Sequence, residues 1–374
     1  MTATHEILNR LIAFDTVSAN SNLDLAAYVE AYLADLGVTC DRVPNGTGDK
    51  IALLASIGPT RPGGVVLSAH TDVVPAEGQS WTRDPFALTF EEGRAYGRGT
   101  ADMKAFLASV LAAVPQLVAA NLQSPVHLAF SYDEEVGCAG VQPLIAHMLD
   151  RGLAPGACIV GEPTGMTPVT AHTGKQIFTC TFKGTPMHSS LSPRGVNAIA
   201  EAGEAIARLN DLSRELLTET TNDLRFPIPH PTINFGTIEG GKATNIVAED
   251  CAFVIEYRYP PGTSPDLLRR ALEGLGDRDP APQVTEVVSY PAFTAPTRSK
   301  ALELVTGIVG TNATLAVNYG TEAGHYSSAG IDTVVFGPGD IAQAHQPDEF
   351  ITLSQLDACD RFLAGLCDAL SRGD

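Results

Sequence analysis

Four short apolar runs in this 374-residue chain each lead into acids or a histidine, and that pattern limits what it can fold into. "VVLSA" runs into His70-Thr71-Asp72, and "VHLAFSY" into Asp133-Glu134-Glu135. "ACIVG" runs into Glu162-Pro163, and "TVVFGPG" is followed after a short loop by His345. Such runs read as short buried strands. Helical patterns lie between them. "LDLAAYVEAYLADLG" places Leu25, Val29, Tyr32, Leu33 and Leu36 on one stripe closed by Gly37, and "DMKAFLASVLAAVPQLVAA" is a long apolar helix. Strands alternating with helices predict an α/β domain with a mixed, largely parallel sheet and helices on both faces. Ligands of such sheets bind outside the carboxyl ends of the strands, where these acids and histidines gather.

Near Gly174 the pattern changes. "KQIFTCTFKG" reads as a strand, "GVNAIAEAGEAIARLNDLSREL" as a helix, and "PTINFGTIEG" and "CAFVIEYRY" as two strands. A helix, "SPDLLRRALEGL", and a strand, "QVTEVVSY", complete a β-α-β-β-α-β order, the split βαβ pattern of a ferredoxin-like α+β domain. Helix, strand and helix then resume. The expected architecture is an outer α/β domain of residues 1–173 and 292–374, interrupted by an insert of residues 174–291.

Charge narrows the partners. With 24 Lys and Arg against 43 Asp and Glu, the net charge of -19 would repel nucleic-acid phosphates and an anionic membrane surface. No apolar run approaches membrane-spanning length. Seven cysteines, an odd number without a C-x-x-C pair, suggest a reducing compartment. The N-terminal stretch lacks the basic start and apolar run of a signal peptide, so the cytoplasm is expected.

"YGRGTADMKAF", residues 96–106, poses the main ambiguity. Gly97 and Gly99 are spaced as in a dinucleotide fingerprint, but Asp102 stands where the third glycine belongs, facing any phosphate with a charge of its own sign. The glycines are better read as a tight turn that presents Asp102. Each acid or histidine also has an ordinary reading. Asp102 serves equally as a helix cap, "DEE" as a solvated turn, and His70 and His345 as isolated histidines. Asp72, two residues from His70, suits the task of fixing an imidazole tautomer. Jointly, one Asp, two Glu and two His meet the needs of two neighbouring divalent ions, with one Glu and one Asp to spare. The absence of cysteine from the set favours zinc, cobalt or manganese.

These segments, "HTDVVP", "DPF", "YGRGTADMK", "SYDEEVGCAG", "GEPT", "GTPMHSS" and "GPGDIAQAHQPDE", resemble the aminoacylase/carboxypeptidase family of dinuclear zinc amidohydrolases. The resemblance extends from about residue 7 to about residue 365. It implies that His70 and Glu162 hold one metal, Glu135 and His345 the other, and that Asp102 bridges them. It further implies that Asp72 orients His70 and that Glu134 is the general acid/base. The insert would be a lid through which the chain forms a homodimer. His188 would then stabilise the oxyanion in the partner's site, and Asn245 and Arg258 would contact the carboxylate of a small N-acyl amino acid. His325 in "TEAGHYSSAG" is the one local oddity, at a position where an apolar residue is expected.

Overall fold

The computed structural model describes residues 2–218, 222–277 and 280–372. They divide into two compact units. One comprises Ala171–Phe293 with Ala316–Gly320, and the other takes the described residues outside those spans.

The larger unit is built on a sheet whose parallel centre consists of Val126–Ser131, Val65–His70, Ala157–Val160 and Thr333–Val335, in that order. Ile51–Ile57 runs antiparallel to Val126–Ser131, and Cys40–Pro44 continues outward from it. Val335 also pairs antiparallel with Val169. The mixed, largely parallel sheet expected from the alternating pattern is the one observed. Alternation of side chains gives the sheet two buried faces. Val65, Leu67 and Ala69 pack with helices Ala3–Ile12, Leu23–Asp35, Lys104–Ala119 and Leu353–Arg372. On the other face Ser68 meets helix Ala323–Ser328 through Tyr326, and helix Val141–Asp150 packs on Ile51–Ile57.

Register decides where the strand ends fall. His70 lies opposite Ser131 and Ser68 opposite Val160, so three neighbouring strands stop at nearly the same level. The residues that follow them, Asp72, Asp133 to Glu135 and Glu162, therefore emerge on one edge.

Between the strand Arg94–Tyr96 and the helix Lys104–Ala119 the chain makes the turn that carries Asp102. Gly99 has φ +86°, and a Cβ there would stand 2.8 Å from Val73 Cγ1, so both its backbone and its surroundings require glycine. Asp102 does not cap the helix; the N-cap is Met103, with no side-chain capping bond. Lys104 anchors the turn from below. It is fully buried, its Nζ donates to the carbonyls of Leu11 (3.1 Å) and Phe14 (2.9 Å) at the end of helix Ala3–Ile12, and burial pulls its amine down to about 7.

The smaller unit is a four-stranded antiparallel sheet in the order Thr232–Gly240, Asp250–Tyr259, Gly174–Lys183, Gln283–Tyr290. With helices Ala198–Thr218 and Leu267–Glu273 this is the ferredoxin-like arrangement expected from β-α-β-β-α-β. One face buries Phe178, Phe182, Phe253, Ile255 and Tyr257 under the helices. Val254, Glu256 and Arg258 occupy the other, less buried face.

Candidate metal centre

Seven of the residues singled out above meet at the strand-end edge of the larger unit. His70 closes its strand and is 1% exposed. Its Nδ1–H donates to the main-chain oxygen of Asp72 at 3.0 Å, with the Asp72 carboxylate farther off at 3.5 Å. The imidazole is thus oriented chiefly by the backbone, and its Nε2 points to Asp102 Oδ1 (3.0 Å) and Glu162 Oε1 (3.8 Å). The Asp72 carboxylate acts mainly on the neighbouring loop. Its Oδ1 accepts the Glu134 N–H (3.1 Å), and its Oδ2 accepts the Glu135 N–H (3.3 Å) and the Ser18 hydroxyl (2.7 Å).

Asp102 faces two ways. While Oδ1 meets His70, Oδ2 lies 3.3 Å from His345 Nε2, and that same nitrogen lies 3.0 Å from Glu135 Oε2. Two groups able to hold a metal ion follow, His70-Asp102-Glu162 and Asp102-Glu135-His345, the ligand atoms of each lying within 4.8 Å of one another. Asp102 belongs to both. Glu134 is left outside both groups, its Oε1 3.5 Å from the Cys138 thiol.

Charge tests whether cations fit. Burial pushes the carboxyls of Glu134 and Glu162 well above their usual range; the charges of Glu135, Asp102 and Glu322 add to it at Glu134, and those of Asp102, Glu134 and Glu135 at Glu162. Burial also lifts Glu135 to about 7, again helped by Asp102. His345 is driven to about 10 by its hydrogen bonds to Asp102 and Glu135. At His70, burial opposes the charge, but Asp102, Asp72 and Glu162 together hold the imidazole protonated well above its ordinary range. A buried cluster in which three carboxyls are pushed upward, Asp102 is held low and both imidazoles retain protons is a site suited to positive charge. Imidazole and carboxylate donors without sulfur match divalent zinc, cobalt or manganese, whose binding displaces such protons.

The remaining three residues lie in the smaller unit. His188 and Asn245 are neighbours: His188 bridges to Ile246, and the Ser189 N–H donates to the Asn245 carbonyl at 2.9 Å. His188 is exposed, and its Nδ1 accepts the Ser190 N–H, which leaves Nε2 as the outward donor. Arg258 stands at the opposite end of the strand Asp250–Tyr259 from Asn245. Its guanidinium donates to Glu256 Oε1 (2.8 Å), Glu256 Oε2 (3.4 Å) and the Asn318 carbonyl (3.2 Å).

The structure adds residues that sequence reasoning passed over. Arg98 and Glu349, both within quoted motifs, form a 2.6 Å ion pair, each 1% exposed. Glu322 is buried beside the site, taking hydrogen bonds from Ser131 and from Ser68 (3.1 Å). It lies in "GTEAGH", three residues before His325. His325 itself is half-buried on helix Ala323–Ser328, and burial pulls its imidazole down to about 4.

The model of peptidase family M20/M25/M40 matches residues 66–369. The chain belongs to that family. It is 37% identical over 377 residues to the acetylornithine deacetylase of Photorhabdus laumondii, covering 97% of this chain and 96% of the relative. The acetylornithine deacetylase of Yersinia pestis is equally similar over 381 residues. Among solved structures, the M20 family metallo-carboxypeptidase of Sulfolobus solfataricus superposes with a TM-score of 0.80 at 21% identity, covering both chains fully. A dinuclear metal-binding M20 peptidase of Bacillus subtilis gives 0.64 at 15% identity, over 97% of this chain and 96% of that one. These two support the two-part α/β fold.

Glu322 yields a test independent of turnover. Burial raises its carboxyl to about 7, so its contribution to stability is complete below the ordinary carboxylate range and disappears as pH rises through 7. For chelator-treated protein, the stability of the unmodified chain relative to Glu322→Gln should fall between pH 5 and pH 8, by at most roughly 3 kcal/mol. Urea midpoints at the two pH values measure it. A difference that does not change with pH would refute the assignment.

Proposed function

We propose that this M20 protein is a deacetylase of N2-acetyl-L-ornithine, releasing acetate and ornithine in a cytoplasmic step toward arginine. The observation that carries the reading is Asp102, shared by two ligand groups with an unligated, raised-pKa Glu134 at their side. Relatives named as acetylornithine deacetylases, matched over 97% of the chain, support the substrate. In this reading residues 1–173 and 292–374 are the catalytic domain, and 174–291 the lid. Among the described residues, no helix is long and apolar enough to cross a membrane.

His70 and Glu162 would hold one divalent ion, Glu135 and His345 the other, and Asp102 both, with zinc favoured and cobalt or manganese as alternatives. When bound, the ions supply Lewis acidity to the amide carbonyl and lower the pKa of water toward neutrality. Glu134 takes the proton as water oxygen bonds to the carbonyl carbon. Breakage of the C–N bond then sends that proton from Glu134 to the leaving amine, and acetate remains. His188 Nε2–H is the donor for the developing oxyanion.

The lid is proposed to pair two chains, with the partner subunit's His188 completing each site. His188 and Asn245 lie at one end of the strand Asp250–Tyr259 and Arg258 at the other, a separation that favours their serving different sites.

Glu134→Ala should retain both ions and lose at least roughly 100-fold in rate, the usual worth of a positioned acid/base, whereas Glu135→Ala should lose an ion. Metal analysis with turnover measures both, and the reverse pattern would exchange the two roles. Retained turnover in Glu134→Ala would remove the acid/base step altogether.

Mixing inactive His188→Ala with inactive Glu134→Ala should restore part of the activity, because one site of a mixed dimer keeps both groups. If subunits demonstrably exchange and activity stays at zero, assembly in trans is excluded.

On substrates, N2-acetyl-ornithine should exceed N-succinyl-diaminopimelate in kcat/KM by well over roughly tenfold, a transition-state difference of more than about 1.4 kcal/mol. Arg258→Lys, which keeps the charge and loses the planar fork, should reduce efficiency. Preference for the succinylated substrate, for general N-acyl amino acids or for small peptides would reassign the protein to desuccinylase, aminoacylase or carboxypeptidase. No turnover by metal-loaded protein would make it a binding or scaffold relative.

A further inference from the structure

His345 is the least supported of the five proposed metal ligands. Its side chain is 51% exposed, its φ of +64° is unusual for a residue with a side chain, and it lies in a loop after the sheet, whereas His70 closes a strand and Glu162 follows one closely. Something other than a strand must hold it. Its carbonyl accepts the Gln79 Nε2–H at 2.8 Å. The other end of that amide, Gln79 Oε1, accepts hydrogen bonds from Arg98 and from Trp81 Nε1 (3.1 Å), and the Trp81 ring stands 5.0 Å from the Arg98 guanidinium.

Arg98 is four residues before Asp102, and its partner Glu349 is four residues after His345. Glu349 Oε1 accepts the main-chain N–H groups of Ala101 (2.8 Å) and Asp102 (3.2 Å), while Oε2 takes the Arg98 Nη1–H at 2.6 Å. Arg98 also reaches the Gln346 carbonyl at 3.4 Å. A continuous set of hydrogen bonds therefore runs from the Asp102 turn, through Glu349, Arg98 and Gln79, to the His345 backbone.

We propose that Gln79, held by Arg98 and Glu349, is a positioning residue that sets the distance of His345 from Asp102. It thereby governs affinity for the ion of the Asp102-Glu135-His345 group and leaves the His70-Asp102-Glu162 group unaffected. This rests on the reading that the site takes two ions. Gln79 bonds to none of the atoms that would ligate an ion; its side chain meets the backbone carbonyl of His345, the Arg98 guanidinium and the Trp81 indole N–H. Half-buried at the surface, it is also replaceable with little risk to folding.

Zinc(II) is titrated calorimetrically into chelator-treated protein, and cobalt(II) absorption is followed in parallel. The unmodified chain should show two binding events. Gln79→Ala should weaken one of them roughly 10- to 100-fold, the range for loss of a group that orients a metal ligand, and leave the other within about threefold. Gln79→Glu keeps the oxygen that Arg98 and Trp81 use but lacks the donor to His345, so it should behave like Gln79→Ala. Glu135→Ala should abolish the sensitive event, and adding Gln79→Ala to it should leave the surviving event unchanged. Equal weakening of both events, no weakening, normal behaviour of Gln79→Glu, or a Gln79 effect on the event surviving Glu135→Ala would each overturn the proposal. An unmodified chain that takes up fewer than two ions would overturn the two-ion reading on which it rests.

Discussion

One carboxylate has to face in two directions, and much of the larger unit can be understood from that requirement. Asp102 meets His70 with one oxygen and His345 with the other, and those histidines come from distant parts of the chain. Bringing them to either side of a single side chain takes a rigid sheet for the first and a fixed loop for the second. The parallel strands supply the sheet through a register that ends Val65–His70, Val126–Ser131 and Ala157–Val160 at one level. The Asp102 turn is in turn trapped between two buried polar side chains. Glu349 holds its amides, and Lys104 ties the start of the following helix to the end of helix Ala3–Ile12.

Such a site is expensive to build. Asp72, Asp102, Glu162 and Glu322 are each at most 6% exposed, and each would lose its hydration on folding if ionised. The chain meets this cost in two ways. Asp72 lies beside the protonated His70 and receives two amides and a hydroxyl; His70 first, then Ser18 and the Glu134 amide, lower its pKa despite burial, so it stays charged and structural. Glu134, Glu135 and Glu162 have fewer such donors, and burial drives their carboxyls upward. The second set can be stabilised by positive charge arriving from outside, whereas the first already is. Hydrogen bonding thus separates acids that organise the site from acids left available for a cation or a proton.

How far the sequence disclosed this depends on the range of the pattern involved. Apolar runs and alternation are local, and they revealed the four parallel strands at the centre of the mixed sheet and the β-α-β-β-α-β insert, but not the flanking strands such as Ile51–Ile57 and Cys40–Pro44. The acids and the histidine directly at strand ends were legible because a parallel sheet collects such ends on one edge, so the gathering of His70, Glu135 and Glu162 needed no knowledge of loop geometry, whereas Asp102 and His345 come from a turn and a loop. The Asp102 cap reading was a fair local alternative, and it lost because Met103 occupies the N-cap position and the carboxylate turns to the two histidines. Arg98 and Glu349 were not legible as a pair, being 251 residues apart and recognisable only once both are buried together. Glu322 was hidden for a related reason. A glutamate beginning a short helix reads as solvated until Ser68 and Ser131, from two different strands, are seen to donate to it.

The adjacent acids Glu134 and Glu135 show how a backbone can divide labour between chemically identical neighbours. Asp133 just before them adopts φ +56° and pairs with Lys50, which turns the chain sharply as it leaves the sheet. The Asp72 carboxylate then takes the amides of both glutamates, one on each oxygen, and fixes the turn from beneath. Neighbouring side chains on such a turn diverge instead of sharing a target. Glu135 reaches His345 at 3.0 Å, and Glu134 lies by the Cys138 thiol, outside either ligand group. Had the strand run on, alternation would have sent the two side chains to opposite faces of the sheet. By ending the strand and pinning the turn, the fold keeps both acids on one edge, one bound into the cluster and one unligated with a raised pKa. A carboxyl in that second position, held by neither ligand group, is free to accept and return a proton, which is what amide cleavage asks of it.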